Sequence, residues 1–328
     1  MKIKICILGT GDISHEFVKH VKKINEIELI AVYHHQIAKA QLFANQYDIN
    51  FVYDTIEDVC NSDCNLVYNA LPNSLHYQTS KYLIKSRKNI IIEKPITSNL
   101  KELKDLFKLG EQNEVMIFEV NRVLYNRSFL FIKEHIAAIS PIKLVSISFC
   151  KVSRKYESYK QGEIPNVFSL EFSGGALYDL GVYALHFMIS LFGIPNEWKY
   201  VCNKLETGVD SSGTVLLLYE NLVANISLSK ITNGLNRVEI QGEKGTITSN
   251  YPPSILTQVS HLNQQKVLID ELNNNESSFG SFLANCVKII RDKNQIAYQK
   301  TTKISIDVMR VLEDLRNDAN IVFESDSL

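Results

Sequence analysis

The sequence lacks long apolar runs and has no charge excess. No stretch approaches the roughly 18 consecutive apolar residues of a membrane-spanning helix, and the apolar run within Met1–Leu8 is too short for a signal peptide. Lysine and arginine number 35 against 36 aspartates and glutamates, so bulk charge does not favour nucleic acid. We therefore expect a cytoplasmic protein that binds neither membranes nor nucleic acids.

The six cysteines form no pattern typical of disulfides or metal sites. Cys6 and Cys150 lie in strand-like runs, where a free thiol behaves as a small apolar group. Cys60 and Cys64 are four residues apart, but a metal site would need two more ligands nearby and none is evident. The sequence predicts no metal and a reducing compartment.

The chain begins with a strand, a glycine turn and a helix. Ile3–Leu8 is apolar, Gly9–Ser14 follows, and apolar residues then recur at helical spacing. The pattern G-x-G-x-x-G/A is met with Ser14 in the third place. Such a turn lets backbone N–H groups approach a pyrophosphate at a helix N-terminus; the alternative is a plain glycine turn. The predicted cofactor contacts here are Gly9, Thr10, Gly11, Asp12 and Ile13.

An acidic residue is missing after the second predicted strand, Glu28–Tyr33. An acid at this point would bind the ribose 2′-hydroxyl of NAD, but the chain reads His34-His35. Without an acid, a 2′-phosphate meets no repulsion, and a histidine can donate to it. This favours NADP over NAD; the alternative is that both histidines are ordinary loop residues.

Strands and helices alternate through the first part of the chain. Further helices are predicted at Ala38–Tyr47, Tyr77–Lys85 and Leu100–Gln112, with one beginning at Thr55. Six strands that alternate with helices predict a doubly wound parallel sheet. The remaining predicted strands are Phe51–Tyr53, Leu66–Leu71, Asn89–Ile92 and Val115–Phe118.

The stretch Asn89–Ile96 reads as a buried strand that places Glu93 and Lys94 at its carboxyl end. Pro95 cannot donate a ladder hydrogen bond, so the strand ends or turns there. Ligands of open α/β sheets lie outside the carboxyl ends of the strands. Lys94 could polarise a carbonyl or take a proton; the alternative is a surface lysine paired with Glu93.

The spacing of apolar residues along the sequence changes after Pro141. Val145, Ile147 and Phe149 alternate with polar residues, and hairpin signals occur between residues 216 and 223 and within 241–248. These features predict an α+β domain with a large open, mostly antiparallel sheet and a closing helix at Ile304–Ala319. At 328 residues, two domains are the default, and we place them at 1–121 and 122–328.

Ser173–His186 carries two glycines followed by a helical pattern. Asp179, Tyr183 and His186 stand at i, i+4 and i+7, so an acid and a phenol would share one helix face. The alternative is that these polar side chains cap the helix or form local hydrogen bonds.

The chain resembles the Gfo/Idh/MocA oxidoreductases, which include glucose–fructose oxidoreductase and inositol dehydrogenase. The resemblance covers nearly the whole chain. It rests on four motifs in order: Gly9–Ser14, Pro72-Asn73-x-x-His76, Glu93-Lys94-Pro95 and Ser173–Tyr183. It departs at His34-His35, where many members carry Ser-Arg for NADP, which leaves the cofactor choice open.

The resemblance implies roles for particular residues. Lys94 would be catalytic beside the reacting carbon, and Tyr183, where many members have a histidine, would relay a proton with Asp179 orienting it. With a tyrosine at this position, the chain resembles the branch that contains glucose–fructose oxidoreductase, anhydrofructose reductase and dimeric dihydrodiol dehydrogenase. The residues that would line the nicotinamide and its ribose are Leu71, Pro72, Asn73, His76, Glu93 and Lys94. Candidate substrate residues are Asn121, Arg122 and His186.

The function implied is an NAD(P)-dependent oxidoreductase. Its substrate would be a secondary alcohol or ketone of a sugar, polyol or cyclic diol, and the second-domain sheet would be covered by a partner subunit in at least a homodimer. One alternative is a non-catalytic NAD(P) sensor of the same fold. Another is a metabolite-binding scaffold without cofactor, which would have to explain the glycine turn otherwise.

Overall fold

The computed structural model of the chain describes residues 2–262, 267–270 and 277–327. The chain divides into two compact units. The first comprises Met1–Val120 and Phe279–Ile306, and the second comprises Asn121–Ser278 and Asp307–Leu328.

The first unit is built on a six-stranded sheet in which every neighbouring pair of strands is parallel. The strands are β1 (Ile3–Leu8), β2 (Ile27–Tyr33), β3 (Phe51–Tyr53), β4 (Leu66–Asn69), β5 (Asn89–Ile92) and β6 (Ile117–Glu119). Their order, β3-β2-β1-β4-β5-β6, is that of a doubly wound dinucleotide-binding fold. The predicted fold of this unit is confirmed.

Five helices connect these strands. They are α1 (Asp12–Val21), α2 (Ile37–Tyr47), α3 (Ile56–Asn61), α4 (His76–Lys85) and α5 (Leu100–Gln112). Three strand segments, Ile5–Leu8, Leu66–Tyr68 and Ile90–Ile92, are fully buried. Parallel strands covered on both faces read as continuous apolar runs, and this is why the sequence identified them.

The second unit contains an eight-stranded sheet in the order β14-β13-β12-β11-β7-β10-β9-β8. The strands are β7 (Ile142–Cys150), β8 (Glu197–Lys204), β9 (Asp210–Leu218), β10 (Val223–Ser229), β11 (Arg237–Gly242), β12 (Gly245–Ser249), β13 (Val259–Leu262) and β14 (Val267–Asp270). Only β7 and β10 pair in parallel; the other pairs are antiparallel. The two predicted hairpins, β9–β10 and β11–β12, are present, so the mostly antiparallel sheet is confirmed.

The two faces of this sheet differ. Alternate residues of β10, namely Ala224, Ile226 and Leu228, are buried, as are Val145 and Ile147 of β7. The side chains between them are polar and half-buried: Ser146, Ser148, Asn225 and Ser227. The inner face is therefore apolar, and the outer face is polar and partly open.

The helical segments of this unit before β8 are α6 (Arg127–His135), α7 (Tyr156–Lys160), and a π-helical turn (Leu177–Gly181) that continues directly into α8 (Val182–Phe192). The π-helical turn packs on β9 and β10. A side chain at Gly181 would bring its Cβ to 3.0 Å from Leu228, so glycine lets the turn lie close against β10.

The chain ends with α9 (Ser278–Asp292) and α10 (Gln295–Asp318). Phe279 of α9 packs edge-on against Phe17, with ring centroids 5.9 Å apart, inside the first unit. Residues 279–306 therefore belong with the first unit, which differs from the prediction that everything after residue 121 forms the second domain. No helix among the described residues is long and apolar enough to cross a membrane.

A buried arginine holds the last described residues to the π-helical turn. Arg316 is 1% exposed and donates to both carboxylate oxygens of Asp326, at 2.5 and 2.9 Å. It also donates to the Tyr178 hydroxyl at 3.2 Å, and its guanidinium lies 4.4 Å from the Phe323 ring centroid. This bidentate pairing satisfies a charge that would otherwise be costly to bury.

Candidate active site

The glycine turn after β1 has the geometry that the motif requires. Gly9 has φ +93°, and a Cβ there would lie 3.0 Å from the Ala70 carbonyl oxygen, so only glycine fits. Gly11 precedes α1, and no atom lies within 4 Å of where its Cβ would stand. Thr10–Ile13 keep accessible surface. An open approach to a helix N-terminus fits the pyrophosphate of a dinucleotide.

The two histidines after β2 stack on each other, with ring centroids 4.4 Å apart. The backbone N–H of Gln36 donates to His34 Nδ1 at 2.9 Å, so the neutral His34 carries its proton on Nε2. Burial lowers the pKa of His34, and the nearby His35 and Lys39 lower it further. At neutral pH, His34 is therefore a neutral hydrogen-bond donor rather than a full cation. The positively charged side chain near it is Lys39, which the sequence analysis did not single out.

The loop after β4 holds three predicted cofactor contacts. Leu71, Pro72 and Asn73 are each half-buried and so keep accessible surface. The buried Asn69 side chain accepts from the Leu71 N–H and donates to Ser80, both at 3.3 Å. The loop is thereby tied to α4, which fixes its path at the carboxyl edge of the sheet.

His76 differs from the expectation that it contacts the cofactor. Its side chain is fully buried, with Nε2 at 2.8 Å from the Leu71 carbonyl oxygen and Nδ1 at 3.1 Å from that of Pro95. Burial lowers the pKa of His76 to about 4. A side chain without exposed surface is not available to a ligand in this structure; His76 instead links the loops after β4 and β5.

Glu93 and Lys94 have different environments at the end of β5. Glu93 is 8% exposed; it accepts from the Tyr68 hydroxyl at 2.6 Å and from the Lys94 backbone N–H at 3.2 Å. The Tyr68 ring stacks on Phe17 at 3.9 Å between centroids. Glu93 is thus held by the core. The Lys94 side chain is half-buried and retains accessible surface at the carboxyl edge of the sheet, as predicted for its position after β5.

A buried carboxylate organises the glycine pair before the π-helical turn. Asp210 accepts from the Leu177 N–H and from the Tyr200 hydroxyl, both at 2.6 Å. A Cβ at Gly175 would overlap an oxygen of Asp210, and one at Gly174 would overlap the Val167 carbonyl. Burial raises the pKa of Asp210, while these hydrogen bonds oppose the shift. Gly175 is needed because Asp210 binds the start of this helix directly, and Gly174 is needed because the Val167 carbonyl lies against it.

Asp179 and Tyr183 lie about one turn apart on the continuous segment formed by the π-helical turn and α8. Asp179 is a third exposed, and its carboxylate pairs closely with the ammonium of Lys230, whose side chain is 6% exposed. Tyr183 is half-buried, with its ring centroid 6.3 Å from that of Phe149. Asp179 therefore belongs to an ion pair that the sequence analysis did not foresee.

The candidate substrate residues Asn121 and His186 contact each other. The Asn121 amide nitrogen lies 2.7 Å from His186 Nδ1, and the two residues are only 8% and 2% exposed. Their burial differs from the expectation that they meet a substrate, because neither offers more than a trace of surface. Arg122 is half-buried.

Sequence reasoning missed two groups, and a local pattern could have revealed only the first of them. Lys230 follows the buried row Ala224, Ile226 and Leu228 at the same two-residue spacing, but the predicted strand stopped at Ser229. Asp210 begins β9, and nothing near it in the sequence indicates that it accepts from the Leu177 N–H and lies against Gly175, 35 residues earlier.

The cysteines and the other potential metal ligands of the described residues form neither a disulfide nor a metal cluster. All six cysteines are free thiols. In the described parts of the chain, no three His, Cys, Asp or Glu side chains come together in a group that could hold a metal ion.

Two protein-family models match successive parts of the chain. Residues 3–121 match the oxidoreductase family with an NAD-binding Rossmann fold, named GFO_IDH_MocA, and residues 139–248 match the GFO/IDH/MocA C-terminal domain. The fold and these matches define an oxidoreductase of the NAD-binding class. The chain belongs to the Gfo/Idh/MocA oxidoreductase family, as its motifs predicted.

Individual relatives agree with this assignment. The chain is 28% identical over 328 residues to scyllo-inositol 2-dehydrogenase (NADP(+)) IolU of Bacillus subtilis strain 168, covering 99% of each chain. It is 26% identical over 253 residues to trans-1,2-dihydrobenzene-1,2-diol dehydrogenase of Xenopus tropicalis, covering 75% of each. The crystal structure of KijD10, a 3-ketoreductase from Actinomadura kijaniata in complex with NADP and TDP-benzene, shares the fold. Its TM-score is 0.87 at 18% identity, over 98% of this chain and 99% of that one.

Proposed function

We propose that the protein is an NAD(P)-dependent dehydrogenase that interconverts a secondary alcohol and its ketone on a six-membered ring with neighbouring hydroxyls. The observation that carries the proposal is Lys94: a half-buried lysine that keeps accessible surface at the carboxyl edge of a dinucleotide-binding sheet, beside a glutamate held by the core. Ligands of such sheets lie at that edge.

The names of the relatives support the substrate class. Scyllo-inositol and trans-1,2-dihydrobenzene-1,2-diol are the substrates in those names, and both are six-membered rings that carry adjacent hydroxyl groups. A cyclic polyol or cyclic diol is the chemistry that the two share. We therefore prefer a ring with vicinal hydroxyls to an open-chain alcohol.

Lys94 and Tyr183 are assigned the chemical roles in this proposal. When a ketone is reduced, its oxygen gains alkoxide character, and a placed cation stabilises that charge. Lys94 supplies the cation, and Tyr183 exchanges the proton with the same oxygen. Asp179, about one turn before Tyr183, orients this end of the site. The nicotinamide, when bound, accepts or supplies the hydride.

Cofactor binding is assigned to residues of the first unit. Gly9–Ile13 would hold the pyrophosphate, and Leu71–Asn73 together with Lys94 would line the nicotinamide side. NADP is the preferred form in this proposal, since the β2 edge carries no acid but does carry the His34 Nε2–H and the Lys39 ammonium. The relative IolU is named for NADP(+).

We also propose that the chain works as a homodimer or larger homo-oligomer. The outer face of the second sheet is only half-buried, with Asn225 donating to Ser146 at 2.9 Å along it. A second copy laid on this face would cover it. Light scattering at micromolar concentration checks the assembly, and a strictly monomeric mass would contradict it.

A turnover screen tests the proposed activity. The purified protein is given NADP⁺ or NAD⁺ with scyllo-inositol, myo-inositol, trans-1,2-cyclohexanediol and, as a single-hydroxyl control, cyclohexanol. Growth of the reduced-nicotinamide absorbance with a ring diol, and much less with cyclohexanol, is expected. Tight cofactor binding without turnover of any ring diol would contradict an enzyme and favour a sensor.

A further inference from the structure

Lys230 is held rigidly at the end of β10. Its backbone N–H donates to the Ser211 carbonyl at 2.9 Å, and its carbonyl accepts from the Ser153 N–H at 2.8 Å. Lys230 lies at a bend just after β10 ends at Ser229, and these two bonds hold its backbone to the segments on either side. The position of the Lys230 side chain is therefore set by a backbone that is hydrogen-bonded to Ser211 and Ser153.

The register of β10 directs this lysine to the inner face. Ala224, Ile226 and Leu228 occupy that face, and Lys230 is the next member of the same two-residue series. Its side chain is 6% exposed. Lysine is almost never buried in this way unless it is paired, because an ammonium loses its hydration there.

The partner of Lys230 comes from the helix that lies on β10. Gly181 brings the π-helical turn against Leu228, and two residues after Leu228, just past the end of β10, the Lys230 ammonium pairs with Asp179. A leucine at position 230 would complete the apolar row without any charge to desolvate, and replacing a buried ion pair with apolar groups is often neutral or stabilising. Packing alone therefore does not account for a lysine here.

The pair has one covered end and one accessible end. Lys230 is enclosed, whereas the Asp179 side chain is 33% exposed and lies about one turn before Tyr183. A carboxylate beside a tyrosine that must pass through a phenolate opposes that negative charge. The Lys230 ammonium, fixed against the Asp179 carboxylate, balances its negative charge and also sets the orientation of the carboxylate.

We propose that Lys230 is a positioning residue of the reaction: it fixes Asp179 and balances its charge, so that Tyr183 can release and take up a proton. This inference rests on the proposed function and adds a residue to it. Lys230 acts through Asp179, and the ammonium need not touch the substrate or the cofactor.

Four variants test this role. They are Lys230→Met, Asp179→Asn, the double variant that carries both changes, and Lys199→Met as a matched control. Lys199 forms an ion pair with Asp318 at 2.6 Å in the same unit, but its side chain is 60% exposed. The measurements are the melting temperature, the Kd for NADP⁺ by fluorescence, and kcat and KM with scyllo-inositol or trans-1,2-cyclohexanediol. A deuterium isotope effect on kcat with the carbon-deuterated diol is measured as well.

Lys230→Met is expected to lower kcat by about 10–100-fold, since a misplaced catalytic group costs on that order. Its isotope effect should rise because proton and hydride movement become slower than product release. The Kd for NADP⁺ and the KM should stay within about 3-fold, the signature of an interaction that matters after binding. Lys199→Met should behave as the parent.

The double variant separates charge balance from packing. Removing both charges restores neutrality, so its kcat should exceed that of Lys230→Met, and the two losses should not multiply. Its melting temperature should exceed that of Asp179→Asn, which leaves a buried ammonium without its carboxylate. If Lys230→Met does not fold, the comparison of the double variant with Asp179→Asn decides: an equal or higher kcat supports the inference, and a much lower one overturns it.

The remaining outcomes are also decisive. A folded Lys230→Met with the kcat of the parent, or losses that multiply fully, would overturn the role of Lys230 while leaving the proposed function intact. A parent that binds NADP⁺ but turns over neither diol would refute the proposed function, and this inference with it.

Discussion

The two units place their candidate site residues by different means. In the first unit, the residues stand on loops after parallel strands, and local features hold them: the positive φ of Gly9, and the hydrogen bond from Tyr68 to Glu93. In the second unit, Asp179 and Tyr183 stand on a helix whose start is bound by Asp210 and whose side is bound by Lys230. The loop residues of the first unit can be recognised from short sequence motifs. The buried charges of the second unit contact residues that are distant in the sequence, so no short motif reveals them.

This difference has an expected counterpart in function. Changes in the glycine turn and at His34 should act mainly on cofactor affinity, and changes at Lys94 and around Tyr183 should act mainly on turnover. The five predictions below either sharpen that division or break it.

Replacing Gly11 with tryptophan should have the largest effect. No atom lies within 4 Å of the Gly11 Cβ position and its φ of −76° suits any residue, so the fold should persist. A large side chain would nevertheless occupy the approach of the pyrophosphate. We expect cofactor binding to be lost in a fluorescence titration, with an unchanged circular dichroism spectrum. Unaltered affinity would show that this turn does not bind the cofactor.

Lys94→Ala should lower kcat by about 10²–10⁴-fold, because a placed cation is removed from the developing alkoxide. Cofactor affinity should also fall, but much less, since Lys94 lines the proposed nicotinamide side. Steady-state kinetics and a cofactor titration measure both. Lys101→Ala, an exposed lysine of the same unit, is the control and should match the parent.

Tyr183→Phe should lower kcat over a similar range, about 10²–10⁴-fold, because the proton relay is lost while the ring is kept. Cofactor Kd should not change, in contrast with Lys94→Ala. Tyr251→Phe, at an exposed tyrosine of the second unit, serves as the control. Full kcat in Tyr183→Phe would mean that another group moves the proton; His186, at 2% exposure, is poorly placed to replace it.

His76 should make the first unit sensitive to acid. Its pKa is about 4 in the folded protein and near 6.5 when unfolded, so between these values only the unfolded chain binds the proton. The free energy of unfolding contributed by the neutral His76 is fully present above about pH 6.5 and is lost as pH falls towards 4. The loss is at most about 3 kcal/mol. Urea unfolding from pH 7 to 4 measures it.

The same titration of His76→Gln provides the comparison, because glutamine binds no proton in this range. That variant should be less stable at pH 7 yet should lose less stability on acidification. Parallel curves for the two proteins would show that His76 is not the group responsible.

His34→Asp should have the smallest effect and should concern only cofactor choice. A carboxylate beside a 2′-phosphate adds roughly 1 kcal/mol of repulsion at about 4 Å in water, or about fivefold in affinity. NADPH binding should weaken by that factor while NADH binding does not. An unchanged ratio of the two dissociation constants would remove His34 from the phosphate site.

Much of the fold followed from the sequence, and the reasons are local. The fully buried runs Ile5–Leu8 and Ile90–Ile92 identified parallel strands, because covered strands are apolar throughout. The alternation of β7 and β10 and the turn between β9 and β10 identified the mostly antiparallel sheet, but not the parallel pairing of β7 with β10. The family was recognised from motifs that each occupy a few residues.

The remainder depended on contacts that no short segment specifies. Helix α9 was not predicted, and its residues were placed in the second domain, whereas residues 279–306 belong with the first unit. The apolar pattern of an amphipathic helix does not specify which core the helix packs on. His76 was expected at a ligand surface, but the two carbonyls that surround it come from loops 5 and 19 residues away. The burial of Lys230 and its pairing with Asp179 could be predicted only by extending the alternation of β10 one residue past Ser229 and by knowing which helix packs on that strand.

The assignment of residues 279–306 to the first unit also has a consequence for biosynthesis. The aromatic cluster that supports Glu93 includes Phe279 against Phe17 and Tyr68, yet Phe279 emerges from the ribosome about 160 residues after Val120. At about 5–20 residues per second, that delay is roughly 10–30 s. During this interval the nascent first unit lacks the contacts of Phe279 with Phe17 and Tyr68, and its aromatic core surface is uncovered. A chaperone that shields exposed aromatic surface would act in this interval, before α9 is made.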